Sequence, residues 1–267
     1  MDSAADSLGY AGKRVVVTGC RSGIGAATAR LLLDAGAEVH GIDWQDSDLP
    51  LAAFTRLDLR DPAAIAEAVK AIAGPVDALF NCAGLPPMQP PLDVLKVNFI
   101  GTRMLTEALL DRMPAGSAIV SVGSVGGARW PQHLPELREL VATADFAAAL
   151  AWCETHELAQ ADAYGFSKEA IAVWTMTASA RTIAQGVRIN CTSPGSVQTP
   201  MLAAIEQVTP SERIDAVAAQ IGRRSTAAEQ AWVLLMLNSP RASYLNGVNL
   251  PADGGFAAAS AVAVRQA

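Results

Sequence analysis

Residues 14–17 read Arg-Val-Val-Val, close on Thr18-Gly19, and lead at once into a helical stretch over 24–35 that stops at Gly36. A short β-branched run without polar alternation reads as a strand buried on both faces, because branching at Cβ suits a pleated surface better than a helix. The unit repeats. Further strands are expected at 38–42, 55–57, 76–80, 118–122, 187–191 and 247–250, with helices at 62–73, 94–112, 164–185 and 227–237. Asp61 stands as N-cap before Pro62, a pairing that favours a helix start. Alternating strand and helix with continuous apolar strands predicts an α/β fold: a doubly wound parallel sheet covered by helices on both faces.

Such a sheet needs a large core, and the chain can build one: 51% of its residues are hydrophobic and only 17% charged. No Pro/Gly-rich linker, repeat or low-complexity block divides it, so residues 1–267 are expected to form a single domain. The formal net charge is −6 and Lys and Arg form no cluster, which argues against nucleic acid and anionic membranes as partners. No apolar run reaches membrane-spanning length, and the small-residue tail around Val262 and Val264 is too short. The start, Met1-Asp2-Ser3-Ala4-Ala5-Asp6, lacks the basic and apolar segments of a signal peptide, so a cytoplasmic location is expected. Cys20, Cys82, Cys153 and Cys191 are scattered and read as buried or half-buried thiols in a reducing compartment. His40, His133 and His156 lie in no ligand arrangement, so no metal is expected.

Ligands of such sheets bind beyond the carboxyl ends of the strands. After the first strand comes Thr18-Gly19-Cys20-Arg21-Ser22-Gly23-Ile24-Gly25. Glycines there let the backbone approach a pyrophosphate while the next helix presents its first N–H groups. Asp43 ends the second strand, 18 residues beyond Gly25, with Trp44 beside it. A carboxylate at that point accepts bonds from ribose hydroxyls and repels the extra phosphate of NADP, which favours NAD. Arg21 is an opposing signal, since an Arg can accommodate that phosphate. Asp58-Leu59 can meet an adenine edge, and Asn81-Cys82-Ala83-Gly84 can run past the adenosine ribose. Alone, either is an ordinary strand-to-loop transition.

Tyr164-Gly165-Phe166-Ser167-Lys168 puts a phenol and an ammonium four residues apart, on one face of a helix start. A nearby ammonium favours phenolate, which makes the phenol useful as a general acid or base near neutral pH.

With these residues assembled, the sequence resembles the short-chain dehydrogenase/reductase family from Lys13 to Phe256. The family's T-G-x-x-x-G-x-G loop matches residues 18–25, its N-x-A-G matches 81–84, and its helix asparagine matches Asn98. Its active-site serine matches Ser124, its Y-x-x-x-K matches Tyr164 and Lys168, and its P-G-x-x-x-T matches 194–199. The resemblance implies a Rossmann-type fold and a hydride exchange between NAD and an alcohol or ketone. It implies that Tyr164 is the acid–base group and that Lys168 lowers its pKa and holds the nicotinamide ribose. Ser124 would hydrogen-bond the substrate oxygen, with Ser121 nearby as the competing choice, and Asn98 would position a relay water. Pro194, Gly195, Val197 and Thr199 would border the nicotinamide. A homodimer or homotetramer is implied.

Ser124 and Tyr164 are 40 residues apart, far more than is usual in the family. The extra stretch, about 129–160, reads as helices at 135–141 and 146–158. It is expected to be a small cap with its own satellite core, or a lid over the substrate cleft. A similar insertion marks the bacterial 3α-hydroxysteroid dehydrogenase/carbonyl reductase group, as do Gly19-Cys20, Gly41-Ile42-Asp43, Cys82-Ala83-Gly84-Leu85 and the run from Ser239 to Tyr244 before Asp253-Gly254-Gly255. That resemblance suggests a bulky apolar ring substrate, a steroid or terpenoid, with a cyclic or aromatic secondary alcohol as the alternative. A non-catalytic NAD sensor is the rival from another class, and the presence of both Tyr164 and Lys168 opposes it. Residues 200–224 correspond to the variable substrate loop, where Met201, Leu202, Ile205 and Val208 are expected to form an apolar wall.

Overall fold

The computed structural model describes residues 8–263. The acidic start, Met1 to Asp6, and Val264 of the tail lie outside the described residues. The first half of the chain runs β1 (Arg14–Thr18), α1 (Gly23–Asp34), β2 (Glu38–Asp43), β3 (Ala53–Arg56), α2 (Pro62–Ala71) and β4 (Ala78–Asn81). A composite helix follows: α3 (Pro91–Leu95), a π-helical segment (Lys96–Gly101) and α4 (Thr102–Leu110), leading to β5 (Ala118–Val122). The insertion forms α5 (Leu134–Val141), α6 (Phe146–Thr155) and α7 (Glu157–Ala161) ahead of the 21-residue α8 (Ala163–Ile183). The chain then runs β6 (Arg188–Pro194), β7 (Val197–Gln198), α9 (Pro200–Ile205), α10 (Ser211–Ala216), β8 (Ser225–Thr226), α11 (Ala227–Asn238), β9 (Asn249–Ala252) and α12 (Phe256–Val262).

Seven strands form one parallel sheet in the order β3-β2-β1-β4-β5-β6-β9. The order reverses at β1, so a crevice opens between the loops after β1 and β4. β7 and β8 pair separately beside the substrate loop, a feature too short to register in the sequence. Helices cover both faces. On one, α1 and α11 close a core that includes Val15, Val17, Leu32, Phe80, Leu234 and Leu235. On the other, α2, α4 and α8 close a core with Val16, Leu79, Leu105, Phe166 and Trp174. Each fully buried aliphatic side chain contributes about 1.5–3 kcal/mol of transfer free energy.

Two expectations need correction. The helix expected at 94–112 starts three residues earlier, on Pro91, and carries the π-helical segment in its middle. There Thr102 Oγ1 donates to the Val97 carbonyl, five residues back, at 2.9 Å. Gly101 lies so close to the Leu59 carbonyl that no side chain fits between them. The insertion has no satellite core of its own. Leu137, Leu140, Phe146, Ala149 and Cys153 join the same cluster as Phe99 and Trp174. Arg103, on α4 and only 3% exposed, donates to the carbonyls of Leu140, Val141 and Thr143 and so grips the end of α5.

Candidate active site

The loops beyond β1, β2, β4, β5 and β6 line one long cleft of about 570 Å³. Its floor begins where Gly19 crosses the β4 loop. A Cβ on Gly19 would lie 2.8 Å from the backbone of Ala83, and its φ of +68° is open to glycine. Gly25 is pressed against the Gly19 carbonyl in the same way, so it lets α1 approach the loop and does not itself line the cleft. Arg21, Ser22, Gly23 and Ile24 do line it. Ser22 makes no side-chain cap, so the first turn of the 12-residue α1 offers unpaired N–H groups to an anion.

At one end stands Asp43, nearly buried. Its Oδ2 accepts from the Arg21 backbone N–H at 3.1 Å and its Oδ1 from that of Gln45 at 3.0 Å. Trp44 and Asp58 also line this end. The Asp58 carboxylate is engaged by Arg60, which bridges on to Asp93 at 2.9 Å, and the Arg60 hydrogen bonds hold Asp58 below the usual carboxylate range. Leu59 is buried, contributing to the core as well as to the lining. Ala83 and Gly84 border the cleft, but Asn81 does not. Strand alternation turns its side chain inward, where Nδ2 donates to Thr106 at 2.9 Å and to Ser121 at 3.2 Å.

At the other end, Ser124, Tyr164 and Lys168 share one wall. Ser124 lies just beyond β5 and caps a single 3₁₀ turn by accepting from Gly126 N–H at 3.0 Å. That turn rests directly on α8: a Cβ on Gly127 would meet the Lys168 backbone at 2.7 Å. The close approach sets the Ser124 hydroxyl on the Tyr164 side of the cleft, where it lowers the phenol. Ser121, the competing serine, is buried and committed to Asn81. Burial raises the Tyr164 phenol above its ordinary value, the Ser124 hydroxyl lowers it, and Asp162 raises it. Lys168 Nζ lies 5.7 Å from the Tyr164 ring centre and donates to the Val122 carbonyl at 2.9 Å. Burial brings Lys168 down to about 8.

Asn98 lies in the π-helical segment, behind the cleft wall. Its Oδ1 accepts from Leu85 N–H at 2.7 Å, and its Nδ2 donates to Leu85 O at 3.1 Å and Ser167 Oγ at 3.3 Å. The side chain therefore ties the β4 loop to α8. Pro194, Gly195, Val197 and Thr199 line the cleft, and Thr199 Oγ1 caps α9 through Leu202 N–H at 3.3 Å. Met201, Leu202 and Ile205 form the expected apolar wall, but Val208 is 67% exposed and points away. Leu85, Ile214 and Val217 complete the wall, two of them from α10 and its C-cap, whose approach no local pattern announces. The insertion supplies no lining residue, so the lid reading fails. Among the described residues no cluster of metal-ligating side chains occurs, and the four cysteines are free thiols.

The arrangement has close counterparts. The family model described as short chain dehydrogenase matches residues 13–135, and one described as enoyl-(acyl carrier protein) reductase matches 148–257. A coniferyl-alcohol dehydrogenase of Pseudomonas sp. is 39% identical over 92% of this chain and 96% of its own. A 3-alpha-hydroxysteroid dehydrogenase/carbonyl reductase of Comamonas testosteroni is 34% identical over 91% of this chain and 95% of its own. The crystal structure of the 3-alpha-hydroxysteroid dehydrogenase from Pseudomonas sp. B-0831, complexed with NADH, superposes with a TM-score of 0.81 at 32% identity, covering 94% of this chain and 100% of the other.

Proposed function

Because the chain belongs to the short-chain dehydrogenase family and is an oxidoreductase of alcohols and ketones, we propose that it uses NAD(H) to interconvert a bulky apolar ring secondary alcohol and its ketone. The observation that carries this reading is the shared wall of Ser124, Tyr164 and Lys168 facing the apolar side chains of Met201, Leu202, Ile205, Ile214 and Val217. The cleft fits a dinucleotide. Gly19 lets the loop pass against the Ala83 backbone, α1 offers N–H groups to a pyrophosphate, and the Asp43 carboxylate supports NAD because it would repel a second ribose phosphate.

When bound, the nicotinamide supplies the acceptor or donor of hydride. The protein's residues supply the rest. Tyr164 takes the proton of the substrate hydroxyl in oxidation and returns it in reduction. Ser124 hydrogen-bonds the substrate oxygen and, by its place beside the phenol, lowers the Tyr164 pKa. Lys168, anchored on Val122, would hold the nicotinamide ribose and keeps a positive charge beside the ring of Tyr164. Asn98 keeps the β4 loop and α8 in register.

The 39% identity to a coniferyl-alcohol dehydrogenase favours a second reading, an aromatic alcohol substrate, and the apolar wall suits either. The test follows reduced-nicotinamide absorbance with NAD or NADP and a panel of steroid, terpenoid, cyclic and aromatic alcohols, coniferyl alcohol included. Turnover of a ring alcohol with NAD, absent in Tyr164→Phe, is the expected result. Preference for coniferyl alcohol replaces the first reading with the second. Tighter binding of NADPH than NADH overturns the NAD assignment, and NAD binding without turnover of any alcohol revives the sensor.

A further inference from the structure

The two ends of the insertion meet on the first turns of α8. Arg129, at its start, donates from Nη2 to Asp162 Oδ2 at 3.0 Å. Asp162, at its end, is the N-cap of α8, and its Oδ1 accepts from Gly165 N–H at 3.0 Å. Asp162 folds so closely over the helix that a Cβ on Gly165 would lie 2.5 Å from Oδ2, which explains the glycine next to Tyr164. Four residues along the same helix, past Lys168, the fully buried Glu169 accepts or shares a proton with His133 Nδ1 at 2.7 Å. Arg129 Nε stands 4.0 Å from its other oxygen, Oε1, which has no hydrogen-bond partner among the described residues. Tyr164 and Lys168 are thus bracketed by two carboxylates, both answered from the insertion by Arg129 and His133.

We propose that Arg129 and Asp162 form a clasp that sets the proton affinity of Tyr164, with the His133–Glu169 pair anchoring Arg129 in register. This rests on Tyr164 being the acid–base group. An unanswered carboxylate at residue 162, two positions before the phenol, opposes phenolate, and the Arg129 guanidinium offsets it. The titratable and charged groups around the phenol are Asp162 before the helix, Lys168 on it and, behind Asp162, Arg129, Glu169 and His133; Ser124 adds its hydroxyl from the β5 loop. Arg129 and Asp162 therefore act as positioning residues, through Tyr164 and without touching substrate.

The experiment needs no substrate. The chain has three tyrosines, and Tyr10 is buried against Leu235 while Tyr244 is fully exposed. Carbon-13 labelled tyrosine gives one NMR signal for each, and Tyr164→Phe assigns the one that matters. Arg129→Gln is expected to move the Tyr164 midpoint up by roughly half a pH unit. Asp162→Asn, whose amide oxygen can still cap Gly165, is expected to move it down by a similar amount. Arg129→Lys should titrate with wild type, and the double variant R129Q/D162N should return toward wild type, because the two opposite charges offset each other at the phenol. Unmoved midpoints, or shifts of the same sign in R129Q and D162N, overturn the clasp. If R129Q does not fold, the direction in D162N decides alone. Shifts as expected in a protein that turns over no alcohol would leave the clasp standing and sink the functional reading instead.

Discussion

Lys168 Nζ donates to the carbonyl of Val122, the last residue of β5, at 2.9 Å, and so α8 is pinned to the end of a core strand by its own lysine. The resemblance to dehydrogenases assigns Lys168 the lowering of the Tyr164 pKa. In the structure the Ser124 hydroxyl also lowers the phenol, and the Lys168 ammonium lies 5.7 Å from the ring centre.

Burial of that ammonium has a measurable cost. Its pKa falls from 10.5 to about 8, so between these values the unfolded chain binds more protons than the folded one. Stability from this group is therefore lowest below pH 8 and rises as pH climbs from 8 to 10.5. Lys168→Met is expected to exceed wild type in urea stability at pH 7 by roughly 1–2 kcal/mol, less than the full shift because the Val122 carbonyl loses its donor. The advantage should vanish by about pH 10. A difference that stays constant across this range would contradict the shift.

Ser124→Ala removes the hydroxyl that opposes the burial-raised phenol. The expected result is a kcat lower by about 10²–10³-fold, with the pH of half-maximal oxidation moved upward. Thermal stability should change little, because the serine caps only one 3₁₀ turn. Stopped assays across pH on a substrate of the wild type check both.

Gly25→Ala would drive a methyl group into the Gly19 carbonyl. The loop and α1 must separate, and NAD affinity is expected to fall at least tenfold, measured by equilibrium dialysis. Retained affinity would mean that the loop does not hold the pyrophosphate.

Leu140→Ala tests the insertion. Leu140 is fully buried in the core shared with Phe99 and Trp174, so the loss should be about 2–5 kcal/mol within a single unfolding transition. The KM for substrate should be unchanged, because no residue of α5 reaches the cleft. A raised KM with unaltered stability would restore the lid.

The strands were legible where β-branched runs stand alone: the span expected for β5 coincides with the observed one, and β1 extends the expected span by one residue. The four-residue spacing of Tyr164 and Lys168 was enough to put both on one face of α8. What escaped was decided at a distance. Asn81 turns from the cleft because its strand parity, set by the pairing with β1 and β5, points it at Thr106 and Ser121. The π-helical segment carries no periodic mark, since it depends on the approach of Gly101 to Leu59. The docking of the insertion depends on Arg103 and Glu169, whose partners lie 36 to 40 residues away. Val208 is apolar and near its companions in sequence, yet turns outward because the loop leaves α9 after Ile205.

The core beneath α1 is completed by residues from the far end of the chain: Leu234, Leu235 and Leu237 on α11 close over Ala29 and Leu32, and Tyr10 Oη donates to Leu235 O across 225 residues at 2.7 Å. A ribosome adding residues one at a time exposes the apolar face of α1 long before α11 exists to cover it. During synthesis, then, the half of the protein that carries the glycine-rich loop stays unsealed until α11 has emerged from the ribosome, close to the moment the finished chain is released.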